Sequence, residues 1–142
     1  MSIKVFYDNI KYRLNKSRNT IKIIEKVIIG ESRIPGDLYF IITNDENLLK
    51  INKEFLKRDT ITDVIAFDYG FKMTINGEVY ISKDAVKRNA DNYKVSLRKE
   101  MLRVMIHGTL HLCGYDDKSK KEKELMRMKE DELLCREMDI KT

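Results

Sequence analysis

The chain predicts an α+β fold, a mixed β-sheet with helices packed against it. Three observations carry this. Strand-period and helix-period segments interleave through the first two thirds, two helical segments follow one another in the last third, and an Asn-Gly pair joins two strand-prone runs. Ile3, Val5 and Tyr7 alternate with other residues, as do Ile10, Tyr12 and Leu14, which predicts one or two short N-terminal strands. From about Asn19, Ile21, Ile24 and Ile28 fall at helical spacing, with Gly30 placed to end that helix. Asp37 to Ile42 reads as a strand covered on both faces. Thr43 and Glu46 form a capping-box pair ahead of a helix carrying Leu48, Leu49, Asn52 and Phe55.

Thr62 to Phe67 is strongly β-prone, and a further strand is expected at Glu78–Ile81. Asn76-Gly77 lies in the loop between them, a hairpin signal that makes the two strands antiparallel neighbours. Ser82 caps a polar helix to about Tyr93, and Ser96 caps another that runs to Cys113, where Gly114 stops it. Lys118 to Met138, rich in Lys, Glu and Met, is the last helix. With 142 residues, one Pro and six Gly, no internal boundary is visible, so residues 1–142 are expected to form a single domain.

Composition narrows the function classes. The longest apolar run noted, Leu38 to Ile42, is far short of the roughly 18 residues a membrane span needs. The first residues lack the pattern of a secretory signal, so a cytoplasmic protein is expected, with Cys113 and Cys135 as reduced thiols. Net charge is +5, and residues 1–58 hold 12 basic against 7 acidic side chains, a balance suited to a polyanionic partner. A merely solubilising charge explains the same numbers.

The residues that point to chemistry are the two histidines. His107 and His111 stand four apart in a helical stretch, so their imidazoles lie one turn apart on one face and can converge on a metal ion. Past the bend at Gly114, Asp116 or Asp117 can fold back as a third ligand, leaving an open position. The residue after the first histidine is Gly108, where a helical zinc protease carries its Glu base, so a peptidase mechanism lacks its proton acceptor. Cys113 points elsewhere on the helix and reads as a small buried hydrophobe. Arg98 and Arg103, on the histidine helix, are candidate cations. Asp116 is a candidate to orient an imidazole or to cap the last helix, and Thr62 and Asp63 read as strand-end turn residues.

The stretch His107-Gly-Thr-Leu-His-Leu-Cys-Gly-Tyr-Asp-Asp117 resembles the signature H-G-x-L-H-L-x-G-Y-D-H of the YbeY family of bacterial rRNA maturation factors. Ile51-Asn52-Lys53-Glu54-Phe55, followed by Asp59, Thr62-Asp63-Val64-Ile65 and Phe67, is similar to a second block of that family, and Gly77 to Ser82 to a third. The resemblance implies a metal-dependent, single-strand-specific endoribonuclease. It implies action in rRNA processing, at the 3′ end of small-subunit 16S rRNA, and in ribosome quality control. Single-stranded RNA and the ribosomal small subunit would be its partners. It also implies one zinc-like divalent ion, Zn2+, held by His107, His111 and Asp117. Two positions depart from the pattern: Asp117 stands where the family has His, and Leu56 where it has an Arg thought to assist catalysis. Lys57 and Arg58 follow Leu56 directly and are the expected catalytic cations. Two other readings compete: a metal-stabilised ribosome-assembly factor with little nuclease activity, and a metallohydrolase acting on another substrate.

Overall fold

A computed structural model describes residues 2–58 and 62–138. Along the chain lie β1 (Ser2–Tyr7), α1 (Ser17–Gly30), β2 (Ile34–Thr43), α2 (Asp45–Leu56), β3 (Val64–Asp68), β4 (Thr74–Ser82), α3 (Lys83–Tyr93), α4 (Leu97–Leu112) and α5 (Lys120–Met138). The strands form one sheet in the order β1-β2-β4-β3. β1, β2 and β4 run parallel and β3 joins the edge antiparallel, so the sheet is mixed, as the sequence predicts. A parallel neighbour requires a crossover, and α1 provides one between β1 and β2.

The core lies between one face of the sheet and α1 and α4. Leu38, Phe40 and Ile42 of β2 meet Val79 and Ile81 of β4, all fully buried, and Ile24, Ile28, Met101, Met105, Ile106 and Leu110 close over them. α4 is the central helix: it touches α1, α3, α5 and two strands. Gly108 makes its approach to the sheet close, because a Cβ there would lie 2.6 Å from Val79 Cγ1.

Several elements differ from expectation for local reasons. Residues 10–14 form no second strand; Asn9 takes a left-handed φ of 58°, and Leu14 N–H donates to Tyr7 Oη at 3.0 Å instead of to a ladder. β2 is buried on alternate residues, not on both faces: Leu38, Phe40 and Ile42 face the core, whereas Tyr39 and Ile41 on the opposite side are half-buried. α1 does end at Gly30, but Ser32 is the residue that adopts the left-handed φ there. The cap of α2 is Asn44, whose side chain accepts from Asn47 N–H at 2.9 Å, one residue past the expected Thr43. β3 and β4 are antiparallel, yet Asn76-Gly77 lies inside β4, and the turn falls at residues 69–73 with Lys72 at φ 57°. Asn76 Oδ1 accepts from Asp37 N–H at 2.7 Å, filling the gap at the β2 irregularity, and a Cβ on Gly77 would lie 2.5 Å from Phe67 O. The caps expected at Ser82 and Ser96 are present, accepting from Ala85 N–H and Lys99 N–H. Met101, Met105 and Met126 fill the core, whereas Met128 is exposed. Among the described residues no helix is long and apolar enough to cross a membrane.

Candidate metal centre

α4 carries His107 and His111 to its C-terminal end, their rings edge to face at 4.7 Å between centroids. Cys113 caps the helix, and Gly114 takes φ 106°, a conformation side chains oppose, so the chain turns back sharply. That turn returns Asp117 to the histidines. Its Oδ2 lies 3.3 Å from His107 Nε2 and 3.4 Å from His111 Nε2, and the two Nε2 atoms are 3.1 Å apart. Zinc bonds of about 2.0–2.1 Å span a tetrahedral edge of roughly 3.3–3.4 Å, so the triangle matches three corners of one coordination sphere. The three residues together form a group able to hold a metal ion.

The donor set is supported from behind. Buried Glu130 of α5 places Oε2 2.5 Å from His107 Nδ1, which holds the ring proton on Nδ1 and leaves the Nε2 lone pair facing Asp117. Arg103, one turn before His107, donates through Nη1 to Glu130 Oε1 at 3.1 Å and through Nη2 to Asp131 Oδ1 at 2.6 Å. Its Nε is 3.7 Å from Glu100 Oε1. Burial alone would lower the pKa of His107, but the Glu130 hydrogen bond and the charges of Glu130 and Asp117 outweigh it and raise the imidazole above the usual range. Burial has the opposite sign for an acid and lifts the Glu100 carboxyl, with Arg103 opposing it. Acceptors outnumber cations around Nε2, the electrostatic character a divalent ion requires.

The other sequence candidates separate clearly. Cys113 is buried, outside the donor group, and burial pushes its thiol up to about 11. Asp116 is exposed; the imidazole is oriented by Glu130, and α5 is capped by Ser119, which exchanges hydrogen bonds with Glu122. Arg98 is spent on Asn15 O at 3.1 Å, and Arg103 on its three carboxylates. Glu130 itself escapes the sequence reading, although Met126, Glu130, Leu133 and Leu134 share the buried face of α5, and an acid in such an apolar stripe is its signal.

Two clefts meet at the donor group, sharing Asp63, Val64, His107 and Asp117. One runs toward the end of α2 and includes Asn52, Leu56, Arg58 and Thr62. α2 ends in a left-handed turn: Lys57 takes φ 57° and Arg58 N–H donates to Asn52 O at 3.1 Å, which sets Arg58 into this cleft while Lys57 is exposed beside it. Asp63 lies at the mouth of β3, its carboxylate accepting from Asn89 Nδ2 at 3.2 Å and its carbonyl from Ser82 N–H. Asp59, part of the second sequence block, lies outside the described residues.

Three donors with one side open onto a cleft are the arrangement of a reactive metal site, unlike the closed four-ligand set of a structural one. The family profile described as Endoribonuclease YbeY matches residues 5–137. Relatives named Endoribonuclease YbeY include that of Flavobacterium psychrophilum, 44% identical over 129 residues, covering 91% of this chain and 92% of the relative. That of Christiangramia forsetii is 43% identical over 130 residues, covering 92% and 91%. A solution structure of a Thermotoga maritima protein superposes with a TM-score of 0.64 at 26% identity, covering 94% of this chain and 87% of that one. The chain belongs to the YbeY endoribonuclease family.

Proposed function

We propose that the protein is a metal-dependent endoribonuclease that cuts single-stranded RNA, serving maturation of the 3′ end of small-subunit 16S rRNA and ribosome quality control in the cytoplasm. The carrying observation is the His107, His111 and Asp117 triangle at the junction of two clefts, in a chain of this family. These three side chains would hold one divalent ion, with zinc favoured by two imidazoles and a carboxylate. Held there, the ion supplies Lewis acidity toward a phosphoryl oxygen.

The chain's own residues supply the rest. Glu130 keeps the His107 proton on Nδ1, so Nε2 stays a donor to the ion. Arg58 supplies positive charge where a phosphodiester gains negative charge in the transition state, and Lys57 meets the strand farther out. Leu56, in the same cleft, offers an apolar contact where relatives would place a charge, which shifts the cationic work to Arg58.

Purified protein reloaded with zinc should cleave an unstructured RNA oligonucleotide, and His111→Ala should remove both bound zinc and cleavage. Equal cleavage by that variant would assign the activity to a contaminant and favour the ribosome-assembly reading.

A further inference from the structure

The second cleft is left unused by the function proposed above. It opens between α3 and α5 over a floor of α4 and reaches the same donor group as the arm containing Arg58. An exonuclease needs room for the chain on one side of the bond it breaks, whereas an endonuclease must seat the strand on both. Two arms meeting at one set of donors have the shape that internal cleavage demands.

The walls of this arm suit a strand of phosphates and bases. Lys123 and Arg127 stand one turn apart on α5, both exposed, and line the arm together. Among the described residues no ion pair engages either side chain, in contrast to Arg103 on the floor, which is tied to three carboxylates. Tyr93, at the end of α3, is 54% exposed, and the Arg127 guanidinium sits 5.3 Å from its ring centroid. A flat ring beside a guanidinium is the pairing that stacks a base while binding its phosphate. The four acids of the arm are already engaged: Glu130 by His107 and Arg103, Glu100 by Arg103, Asp117 by the two histidines, and Asp63 by Asn89.

We propose that the α3–α5 arm seats the single-stranded RNA on one side of the scissile phosphate, with Lys123 and Arg127 on backbone phosphates and Tyr93 stacked on a base. This rests on the endoribonuclease reading and extends it from the reacting centre to the path of the strand.

The test uses the full zinc-loaded chain, an unstructured RNA oligonucleotide for cleavage, and its 2′-O-methyl counterpart for binding by fluorescence anisotropy across a salt titration. Lys123→Ala with Arg127→Ala should weaken binding about tenfold at moderate salt and flatten the log–log salt slope by about 1.4, since each single-strand phosphate contact contributes about 0.7. KM should rise with kcat nearly unchanged, and zinc content should stay at the wild-type level. Tyr93→Ala should weaken binding severalfold, whereas Tyr93→Phe, which keeps the ring, should bind as the wild type does. Lys120→Ala with Lys121→Ala removes equal charge from α5 outside the arm and should leave the slope unaltered. A wild-type slope in the Lys123/Arg127 variant, or an equal loss in the Lys120/Lys121 variant, overturns the proposal while leaving the endoribonuclease reading intact. Wild-type protein that neither binds nor cuts the RNA overturns both.

Discussion

The two sides of the candidate site are built in opposite ways. On the α4–α5 side, buried side chains hold one another: Glu130 holds His107, Arg103 holds Glu130, and Gly108 lets α4 lie close on β4. On the α2–β3 side, Phe55, Leu56, Lys57 and Arg58 are all exposed, and a backbone hydrogen bond from Arg58 to Asn52 helps position the cation. Groups that must meet a metal within tenths of an ångström need buried, interlocked support. Groups that meet a long, flexible polyanion act through charge, which tolerates looser placement.

This contrast predicts a ranking of mutational effects. On the ordered side, Glu130→Gln keeps the shape but weakens the hold on Nδ1, and zinc affinity measured by competition with a chromophoric chelator should fall about 10- to 100-fold. An unchanged affinity would mean that α5 is packing alone. Gly108→Ala places a methyl against Val79 and should lower stability by about 1–3 kcal/mol in denaturant titrations, with zinc affinity little altered. A neutral outcome would show that α4 has slack against the sheet. On the open side, Arg58→Glu should weaken RNA binding about tenfold at low salt, with the deficit shrinking as salt rises, and Lys57→Glu should do less. Equal losses from the two would erase the distinction between the cleft-lining and the outer cation.

The smallest effect is a pH trend. In the metal-free protein, burial of His107 is outweighed by the Glu130 hydrogen bond and the neighbouring carboxylates, which raise its folded-state pKa above the usual imidazole range. The stabilisation this brings is complete below the unfolded pKa and is lost as pH rises through the folded one. Melting temperature of the zinc-free chain should therefore decline across that window, while zinc, which competes with the proton, should stabilise more as pH rises. Parallel trends with and without zinc would place the proton elsewhere.

The candidate donors were legible because their geometry is local. Four residues of helix align His107 with His111, and the bend at Gly114, three residues before Asp117, brings that carboxylate back to them. Glu130 was not legible in the same way, since its partner lies 23 residues earlier and α5 is crowded with other acids. The cap positions at Ser82 and Ser96 follow from side-chain chemistry that acts over three residues, so they too could be read directly. Asn76-Gly77 misled for a tertiary reason: both residues serve neighbouring strands, Asn76 through Asp37 N–H and Gly77 through the close carbonyl of Phe67, and neither serves a turn. Arg58 was legible as a charge beside Leu56, but its place in the cleft depends on a left-handed lysine, a position that usually falls to glycine.

The carboxylate behind His107 comes from α5, which is synthesised after the helix that carries the histidines. A nascent chain that has exposed both imidazoles still lacks the carboxylate that holds the His107 proton on Nδ1, so that support arrives only with α5. Synthesis itself thereby delays the arming of an enzyme whose proposed target belongs to the machine that makes it.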